Sequence, residues 1–483
     1  MCKCFFILTI HVFFTNHFKS AKGSVFIIKP SKARAKNELL RIALNKEEYN
    51  MKTFKNMNEI IKAENGRKKN IRIYIATLLA VQMLMLPISS CSSSSDNSQI
   101  SGSASAAVAT LADVGGTEVS TVKKTSSDSL NADELFTERD LIQSPDLSGA
   151  KELTLKSGSN ITISEAGVYR ITGSAENATI IINAGDEDKV QIVLDGVSIE
   201  NSDFPCVYVK NVDKVFITLT GDNLLSVTGK FTSDTDTDAK TDGVIFSKDD
   251  ITLNGTGSLT ISSSDNGIVS KDDLKITGGT YNITAASKAI EANDSIRISD
   301  GSFTIKAGTD GLHTENEDDG ALGYIYIGGG SFTMSVGDDG IHAVSLVQID
   351  GGSFEINAAE CIEGTYIIIN DGKLNLSSWD DGINAANKSS AFTPTVEING
   401  GEINITMSAG DTDGIDSNGN IIINGGTISV SGNSTFDYDG TAEFNGGTIY
   451  VNGQQVTEIP NQMMGGGRGG MGMGGGRMGG RRG

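Results

Sequence analysis

Proline, cysteine and aromatic residues are scarce in this sequence, and each scarcity excludes a class of protein. The 483 residues include 6 Pro, 5 Cys and 1 Trp, and aromatic residues make up only 6% of the chain. So few prolines exclude collagen and proline-rich disorder, although the chain has 58 Gly. The cysteines form no CxxC pair and no cluster with His, which argues against a zinc finger and a disulfide framework. The few large side chains predict a narrow, repetitive core.

Basic residues are concentrated near the N-terminus, and the rest of the chain is strongly acidic. Of the 39 Lys/Arg and 60 Asp/Glu residues, the segment 1–90 contains 16 and 5. The remainder therefore has 23 basic and 55 acidic residues, a net charge of −32. Such a surface repels nucleic acid and anionic lipid and attracts cations. We expect no nucleic-acid partner for the body of the protein, and we expect a monomer.

A secretory signal is predicted upstream of Cys91. Basic residues from Lys62 to Arg72 precede an apolar run that begins at Ile73, and small residues then lead to Cys91. The apolar run is shorter than the roughly 20 residues of a membrane-spanning helix. With cysteine at the cleavage position, the segment resembles a bacterial lipoprotein signal, which implies lipidation of Cys91, export, and a lipid anchor in the bacterial cell envelope. An ordinary signal or anchor helix with an incidental cysteine is the alternative.

Composition predicts the boundaries of the chain's segments. Residues 1–90 are interpreted as an over-extended start plus the signal peptide, and residues 91–130, rich in Ser, Ala and Thr, as a flexible tether. Residues 131–240 show irregular strand patterns that predict an N-terminal cap and the first coils. Residues 241–460 carry a regular repeat, and residues 461–483 form a Gly/Met/Arg tail that we expect to be disordered.

An apolar column recurs about every 22 residues from about residue 240 onward, with three insertions. Small residues follow it two positions later, and period-two strands that meet at glycine corners lie between the recurrences. Three short strands per repeat cannot each bury a face alone, which predicts an all-β parallel β-helix with columns stacked about 4.8 Å apart. The apolar column consists of Ile245, Ile268, Ile290, Leu312, Ile341, Ile362, Ile383 and Ile415.

A second column, two positions before the apolar one, ends in five consecutive carboxylates. Neighbouring charges about 4.8 Å apart repel by roughly 3.5 kcal/mol at an effective dielectric of about 20, so the column needs cations or protons to neutralise it. Carboxylates of successive coils, with turn carbonyls, can offer the roughly six to eight oxygens that Ca²⁺ takes. Plain Asp-Gly turn chemistry is the alternative. The predicted calcium ligands are Asp310, Asp339, Glu360, Asp381 and Asp413, with Asp338 and Asp380 beside them.

A third column, one position after the apolar one, is predicted to form an outward polar stripe that contacts ligand. It includes His313, His342, Glu363 and Asp416. The two stacked histidines could bind a metal or a sugar, or simply cover the surface. Trp379 is the single candidate for stacking on a sugar ring, and packing of a turn is its alternative role.

Three segments and the Met/Gly/Arg tail resemble a known family. The segments Asp188–Gly196, Asp242–Asp250 and Asp265–Asp273 resemble the clostridial-type carbohydrate-binding domain family, and the resemblance covers about residues 130–483. It implies a right-handed, single-stranded parallel β-helix similar in fold to pectate lyases. It also implies Ca²⁺-assisted binding of cellulose and of acidic plant polysaccharides such as polygalacturonate.

Three functions are compatible with these patterns. The first is a lipid-anchored binding module in which Ca²⁺ bridges protein carboxylates to uronate carboxylates. The second is a pectate-type lyase, which would need Ca²⁺ and a basic side chain to remove a proton. Lys248, Lys271 and Lys288 are the bases nearest the acidic column, and Lys288 is the best placed. The third is a structural or adhesion role without sugar specificity. We expect binding rather than catalysis.

Overall fold

The computed structural model describes residues 129–235, 240–410 and 412–461. Strands make up nearly all of the regular structure in these ranges. The predictions made for the start, the signal peptide, Cys91, most of the tether and the C-terminal tail lie outside the described residues. Within the described ranges, no helix is long and apolar enough to span a bilayer.

One short helix, α1 (Ala132–Leu135), precedes the strands. The first eighteen strands are β1 (Lys151–Thr154), β2 (Ile161–Ile163), β3 (Gly167–Glu176), β4 (Ile180–Asn183), β5 (Lys189–Asn201), β6 (Val207–Asn211), β7 (Lys214–Thr220), β8 (Asp222–Val227), β9 (Gly243–Ser247), β10 (Asp250–Gly255), β11 (Ser258–Ser263), β12 (Asn266–Ser270), β13 (Asp273–Ile276), β14 (Thr280–Ala285), β15 (Ile290–Ala292), β16 (Ser295–Ile298), β17 (Ser302–Ala307) and β18 (Leu312–Thr314). The next eighteen are β19 (Tyr324–Ile327), β20 (Ser331–Val336), β21 (Asp339–His342), β22 (Leu346–Ile349), β23 (Ser353–Ala358), β24 (Glu360–Gly364), β25 (Tyr366–Ile369), β26 (Lys373–Ser378), β27 (Ile383–Ala385), β28 (Thr395–Ile398), β29 (Glu402–Met407), β30 (Asp413–Ser417), β31 (Asn420–Ile423), β32 (Thr427–Ser431), β33 (Ser434–Tyr438), β34 (Ala442–Phe444), β35 (Thr448–Val451) and β36 (Gln454–Val456).

The strands form three parallel rows, because from β10 to β32 each strand pairs with the third strand after it. Thus β10 pairs with β13, β11 with β14 and β12 with β15. Two of the rows belong to one 24-stranded sheet, and the third row is a separate 12-stranded sheet that runs from β2 to β33. Among the strands described, only β35 and β36 pair antiparallel. The fold is therefore all-β and parallel, as expected of a β-helix-like protein.

The predicted apolar column lies in the 12-stranded sheet and is in register. Ile268 pairs with Ile245 on one side and with Ile290 on the other. Ile341 likewise lies between Leu312 and Ile362. All these side chains are fully buried in one continuous apolar core. The strand register predicted from the spacing of these residues is confirmed.

A stack of four aromatic rings forms another part of the core. Tyr281, Phe303, Phe332 and Phe354 occupy equivalent positions on β14, β17, β20 and β23. Successive ring centroids are 5.0, 4.6 and 4.7 Å apart, and the rings are nearly parallel. Each such contact stabilises the fold by about 0.5–1.5 kcal/mol beyond the contribution of the apolar area that it buries. A narrow core therefore uses its few aromatic residues at one repeated position.

The segment before β1 is fastened to the outer surface of the row that contains β7, β10 and β13. Asp140 is fully buried, and its carboxylate lies 2.5 Å from the Lys214 Nζ and 3.2 Å from the Lys275 Nζ. The Thr252 hydroxyl also donates to Asp140 Oδ1 at 3.0 Å. Burial alone would raise the pKa of Asp140, but the hydrogen bonds from Lys214 and from the Thr137 backbone, with both lysine charges, hold it well below its usual range.

Candidate functional site

The acidic column and the polar column converge on one face of the 12-stranded sheet. Asp310 Oδ2 lies 2.8 Å from His313 Nδ1, and Asp339 Oδ2 lies 2.7 Å from His342 Nδ1. The histidine side chains are only 14% and 15% exposed. Their contacts with the acidic column shield the histidine side chains from much of the solvent, and the contact of the polar stripe with ligand stays a prediction.

The Asp-Gly pairs of the column are strand residues at Asp339 and Asp413 rather than turn residues. Asp339 and Gly340 lie within β21, and Asp413 and Gly414 lie within β30. A Cβ atom on Gly340 would lie 2.5 Å from the Cys361 carbonyl oxygen and 2.6 Å from the Ile356 side chain. Glycine is needed here because the next strand approaches closely. The turn alternative does not apply to these two aspartates.

Two of the carboxylates also bond to the backbone of the next strand in the sheet. Asp310 Oδ1 accepts a hydrogen bond of 3.2 Å from the Asp339 N–H. Asp381 Oδ1 accepts one of 3.0 Å from the Asp413 N–H. One oxygen of each carboxylate thus stabilises the sheet. At Asp310, this arrangement leaves the other oxygen facing His313.

Two overlapping groups of side chains are close enough to hold a metal ion within the described part of the chain. One consists of Asp310, His313 and His342, and the other of Asp339, His342 and Glu363. In each group the potential ligand atoms lie within 4.8 Å of one another. The structure thus brings two of the seven predicted calcium ligands together with three residues predicted to contact carbohydrate. The other predicted residues lie outside these groups: Asp338, Glu360, Trp379, Asp380, Asp381, Asp413 and Asp416.

The sequence analysis missed Lys388 as a member of this cluster. Its Nζ lies 2.7 Å from Glu363 Oε2, and the same oxygen lies 3.4 Å from His342 Nδ1. Lys388 falls between β27 and β28, in one of the insertions that interrupt the repeat. No column position marks such a residue, so periodicity alone could not identify it.

Burial and crowding make the middle of the acidic column retain protons. Burial, with the charges of Asp310 and Asp338, raises the pKa of Asp339 to about 7. Burial, with Glu363 and Asp339, raises the pKa of Glu360 to about 8. Without a cation, these carboxyl groups are therefore partly protonated at neutral pH, which is one of the two forms of neutralisation that the column's spacing predicts.

The same effect continues along the column beyond Glu360. Burial, with Asp380 and Asp413, raises the pKa of Asp381 to about 6. Burial, with Asp381 and Asp413, raises the pKa of Asp416 to about 7. Asp416 was predicted to contact ligand rather than metal, but its electrostatic environment is that of the acidic column.

The surroundings of His342 favour its neutral imidazole form. Burial, followed by the adjacent His313 ring, lowers the pKa of His342 to about 4. The two ring centroids are 4.5 Å apart. Burial alone would raise the pKa of Asp310, but the contact with His313 lowers it below its ordinary value. The cluster thus places the neutral ring of His342 near the ionised carboxylate of Asp310.

A cavity of about 500 Å³ opens beside the histidines. The buried carboxylates of Asp310 and Asp339 contact the histidine rings but do not line this cavity themselves. A solute in the cavity would therefore meet the imidazoles first. The cavity is lined by His313, Thr314, Glu315, Glu317, His342, Val344 and Lys388.

Trp379 is exposed beside the acidic column. Its side chain is 45% exposed, and its backbone N–H donates to the Ala358 carbonyl oxygen at 3.3 Å. The following residue, Asp380, donates in the same way to Ala359, which directly precedes Glu360. The backbone of Trp379 thus lies in the turn between β26 and β27, two residues before Asp381 of the acidic column. The exposure of its side chain leaves a ring surface available for stacking on a sugar.

Two of the three lysines considered as bases for a lyase, Lys271 and Lys288, form ion pairs with glutamates. Lys271 Nζ lies 2.6 Å from Glu291 Oε1, and Lys288 Nζ lies 2.9 Å from Glu315 Oε1. Burial would lower the pKa of both lysines, but the glutamates outweigh it and raise both values. Lys288, the best-placed candidate, is therefore a protonated ammonium group and does not suit the abstraction of a proton. Burial lowers the pKa of Lys248, whose Nζ lies 5.8 Å from the centre of the Tyr208 ring.

Known proteins share sequence and structure with parts of this chain. A "Carbohydrate-binding domain-containing protein" of Acetivibrio thermocellus is 36% identical over 128 residues, which are 26% of this chain and 45% of that protein. The chain thus spans less than half the length of this relative. The solved structure of a polysaccharide lyase-like protein from C. thermocellum, a gadolinium derivative, has 31% sequence identity and a TM-score of 0.41. The match covers 43% of this chain and 90% of that one.

A family model covers most of the described strands. The model of the carbohydrate-binding domain-containing proteins matches residues 157–365 and 359–457. These two matches together span more than half of the 483 residues. The matched residues include both groups of potential metal ligands and the whole acidic column. The chain therefore belongs to the family of carbohydrate-binding domain-containing proteins.

Proposed function

We propose that this protein binds plant cell-wall polysaccharide on the face of the 12-stranded sheet that carries the acidic column. The observation that supports this most directly is the convergence of the acidic column and the polar column on that face. Buried, crowded carboxylates lie there, and the exposed Trp379 precedes Asp381 of the column by two residues in the chain. Acidic glycans such as polygalacturonate and neutral glycans such as cellulose are the proposed ligand classes.

We further propose that Ca²⁺ assists binding at the end of the column that has no histidine. Glu360, Asp381, Asp413 and Asp416 supply only oxygen there, which is the ligand type that Ca²⁺ prefers. A bound cation would relieve the repulsion that raises the pKa of Glu360, Asp381 and Asp416. It would also bridge these groups to a uronate, which an acidic protein otherwise repels.

The proposed scaffold is a right-handed, single-stranded parallel β-helix with coils of about 22 residues. Parallel pairing in three rows and a continuous apolar core support this proposal. In such a scaffold, equivalent side chains of successive coils form long columns. Regularly spaced side chains suit a polymer whose own units repeat.

The proposed location is the bacterial cell envelope, with a lipid anchor at Cys91. The basic and apolar segments before this cysteine support the proposal. If Cys91 carries the anchor, the variant Cys91→Ala should leave the membrane fraction when cells are fractionated. Membrane attachment of a correctly cleaved variant would contradict it.

Sedimentation with insoluble cellulose and with calcium-gelled polygalacturonate tests the binding function. We expect the purified protein to sediment with the polysaccharide. In a separate gel-shift assay with soluble polygalacturonate, we expect EDTA to abolish the retardation of the protein band. Ultraviolet absorbance by unsaturated uronates is followed in the same mixtures. Binding without new absorbance supports a binding module, whereas a rise in absorbance would show lyase activity. Absence of binding to every glycan would contradict the proposed function.

A further inference from the structure

We propose that Asp310, His313 and His342 form a site for a divalent transition metal of the zinc type, distinct from the proposed calcium positions. One potential ligand atom from each side chain lies within 4.8 Å of the others. The two histidines come from neighbouring strands, β18 and β21, and line the cavity beside the sheet. The metal would bind where the cavity meets the acidic column.

A buried nitrogen without a hydrogen bond supports this site. His313 Nδ1 is buried and lies 2.8 Å from Asp310 Oδ2, but it is not aligned for a hydrogen bond with any described residue. A buried polar atom without a partner costs about 1–3 kcal/mol. A metal ion between this nitrogen and the carboxylate would satisfy both atoms.

The two ligand atoms of Asp310 and His313 need to move only slightly apart to admit a metal ion. With zinc–ligand bonds of about 2.0–2.1 Å, two ligand atoms of a tetrahedral site lie about 3.3 Å apart. The Asp310 and His313 atoms would therefore separate by roughly 0.5 Å. The remaining coordination position would face the cavity, where water or a sugar hydroxyl could occupy it.

The donor set selects the class of metal. Two imidazoles and one carboxylate suit zinc and its neighbours in the transition series, whereas Ca²⁺ prefers sites made entirely of oxygen. At the histidine-free end of the column, by contrast, the side chains Glu360, Asp381, Asp413 and Asp416 offer only oxygen atoms.

Asp339, in the second group of potential ligands, would hold the His342 ring in place for the metal site. Asp339 Oδ2 lies 2.7 Å from His342 Nδ1 and would orient the ring, as carboxylates beside metal-bound histidines commonly do. Glu363 is neutralised by Lys388, whose Nζ lies 2.7 Å away. We therefore place the ion with Asp310 and His313, where no lysine competes for the carboxylate among the described contacts.

Metal titration of the purified protein tests this proposal without any carbohydrate. Zn²⁺ is titrated calorimetrically in the presence of excess Ca²⁺, and Co²⁺ is titrated while its visible absorption is recorded. We expect one site that Ca²⁺ does not block. Replacing either ligand with His313→Gln or His342→Gln should weaken Zn²⁺ binding by at least about 100-fold. The control Asp222→Asn removes an exposed carboxylate on β8, in the other sheet, and should leave Zn²⁺ affinity unchanged.

Thermal melting in EDTA shows whether each variant is folded. His313→Gln removes no native hydrogen bond from Nδ1, so it should remain folded even if His342→Gln does not. Unchanged Zn²⁺ affinity in folded His313→Gln would overturn the proposal, as would full competition by Ca²⁺. Polysaccharide binding is measured separately on the same variant. Loss of Zn²⁺ binding with polygalacturonate binding retained would support the metal site independently of the proposed function.

Discussion

Asp140→Ala should lower the free energy of unfolding by about 3–5 kcal/mol at neutral pH. The substitution leaves Lys214 and Lys275 buried without their shared carboxylate, since their side chains are only 11% and 10% exposed. It also removes the acceptor for the Thr252 hydroxyl. Denaturant unfolding followed by circular dichroism measures the loss.

Glu165→Ala is the matched control, because it also removes one carboxylate from a lysine. Lys151 Nζ lies 2.6 Å from Glu165 Oε1, but both side chains are largely exposed to solvent. Solvent screens the charges of an exposed ion pair, so its loss should change the stability far less than the loss of Asp140. Equal losses for the two variants would show that Asp140 does not fasten the N-terminal segment to the strands.

In EDTA, the protein should lose stability as the pH rises from about 5 to 8. A carboxyl group whose folded pKa exceeds its unfolded value holds more protons in the folded state between the two values, so rising pH favours unfolding. Asp339, Glu360 and Asp416, with pKa values of about 7, 8 and 7, all act in this direction. His342 opposes them, because its pKa of about 4 lies below the unfolded value and its contribution is lost as the pH falls.

The carboxyl groups outnumber the histidine, so the free energy of unfolding falls as the pH rises. Discounted for partial exposure and mutual coupling, the loss is about 2 kcal/mol, or roughly 5 °C in melting temperature. Millimolar Ca²⁺ should raise the melting temperature more at pH 8 than at pH 5. The charged and titratable groups around these carboxyls are Asp310, His313, Asp338, Glu363, Asp380, Asp381, Lys388, Asp413 and Asp437.

The double variant Asp381→Asn/Asp416→Asn serves as the control for this pH dependence. It removes two of the crowded carboxylates, so it should flatten the profile in EDTA and diminish the gain from Ca²⁺. A profile identical to that of the wild type would mean that Asp381 and Asp416 neither hold protons in the folded state nor bind calcium.

Periodicity was sufficient to predict the strand register but not the contacts around it. The spacing of Ile268, Ile290 and Leu312 identifies the rows because stacked strands repeat the same side chain at the same place. Asp140 could not be predicted in this way, since its lysine partner at 214 is 74 residues away and belongs to no column with it.

The contact between the acidic column and the polar column could not be predicted from the sequence either. Asp310 and His313 are three residues apart, a spacing that in a regular strand places side chains on opposite faces. The structure nevertheless brings them to 2.8 Å. Asp310 and Gly311 precede β18, so the alternation of a regular strand does not extend to Asp310. A glycine between an acidic residue and a core residue is the signal that could have suggested this.

Calorimetric titration of oligogalacturonate at fixed Ca²⁺ tests most directly whether the face of the 12-stranded sheet binds polysaccharide. The wild type is compared with Trp379→Ala, with Asp381→Asn/Asp416→Asn, and with the control Asp222→Asn, an exposed aspartate on β8 in the other sheet. We predict about 2- to 12-fold weaker binding for Trp379→Ala, since one stacking contact contributes about 0.5–1.5 kcal/mol. We predict a larger loss, at least about 10-fold, for the double variant, which removes ligands of the bridging cation. We predict unchanged binding for Asp222→Asn. Wild-type affinity in both face variants, with all variants folded, would contradict the account.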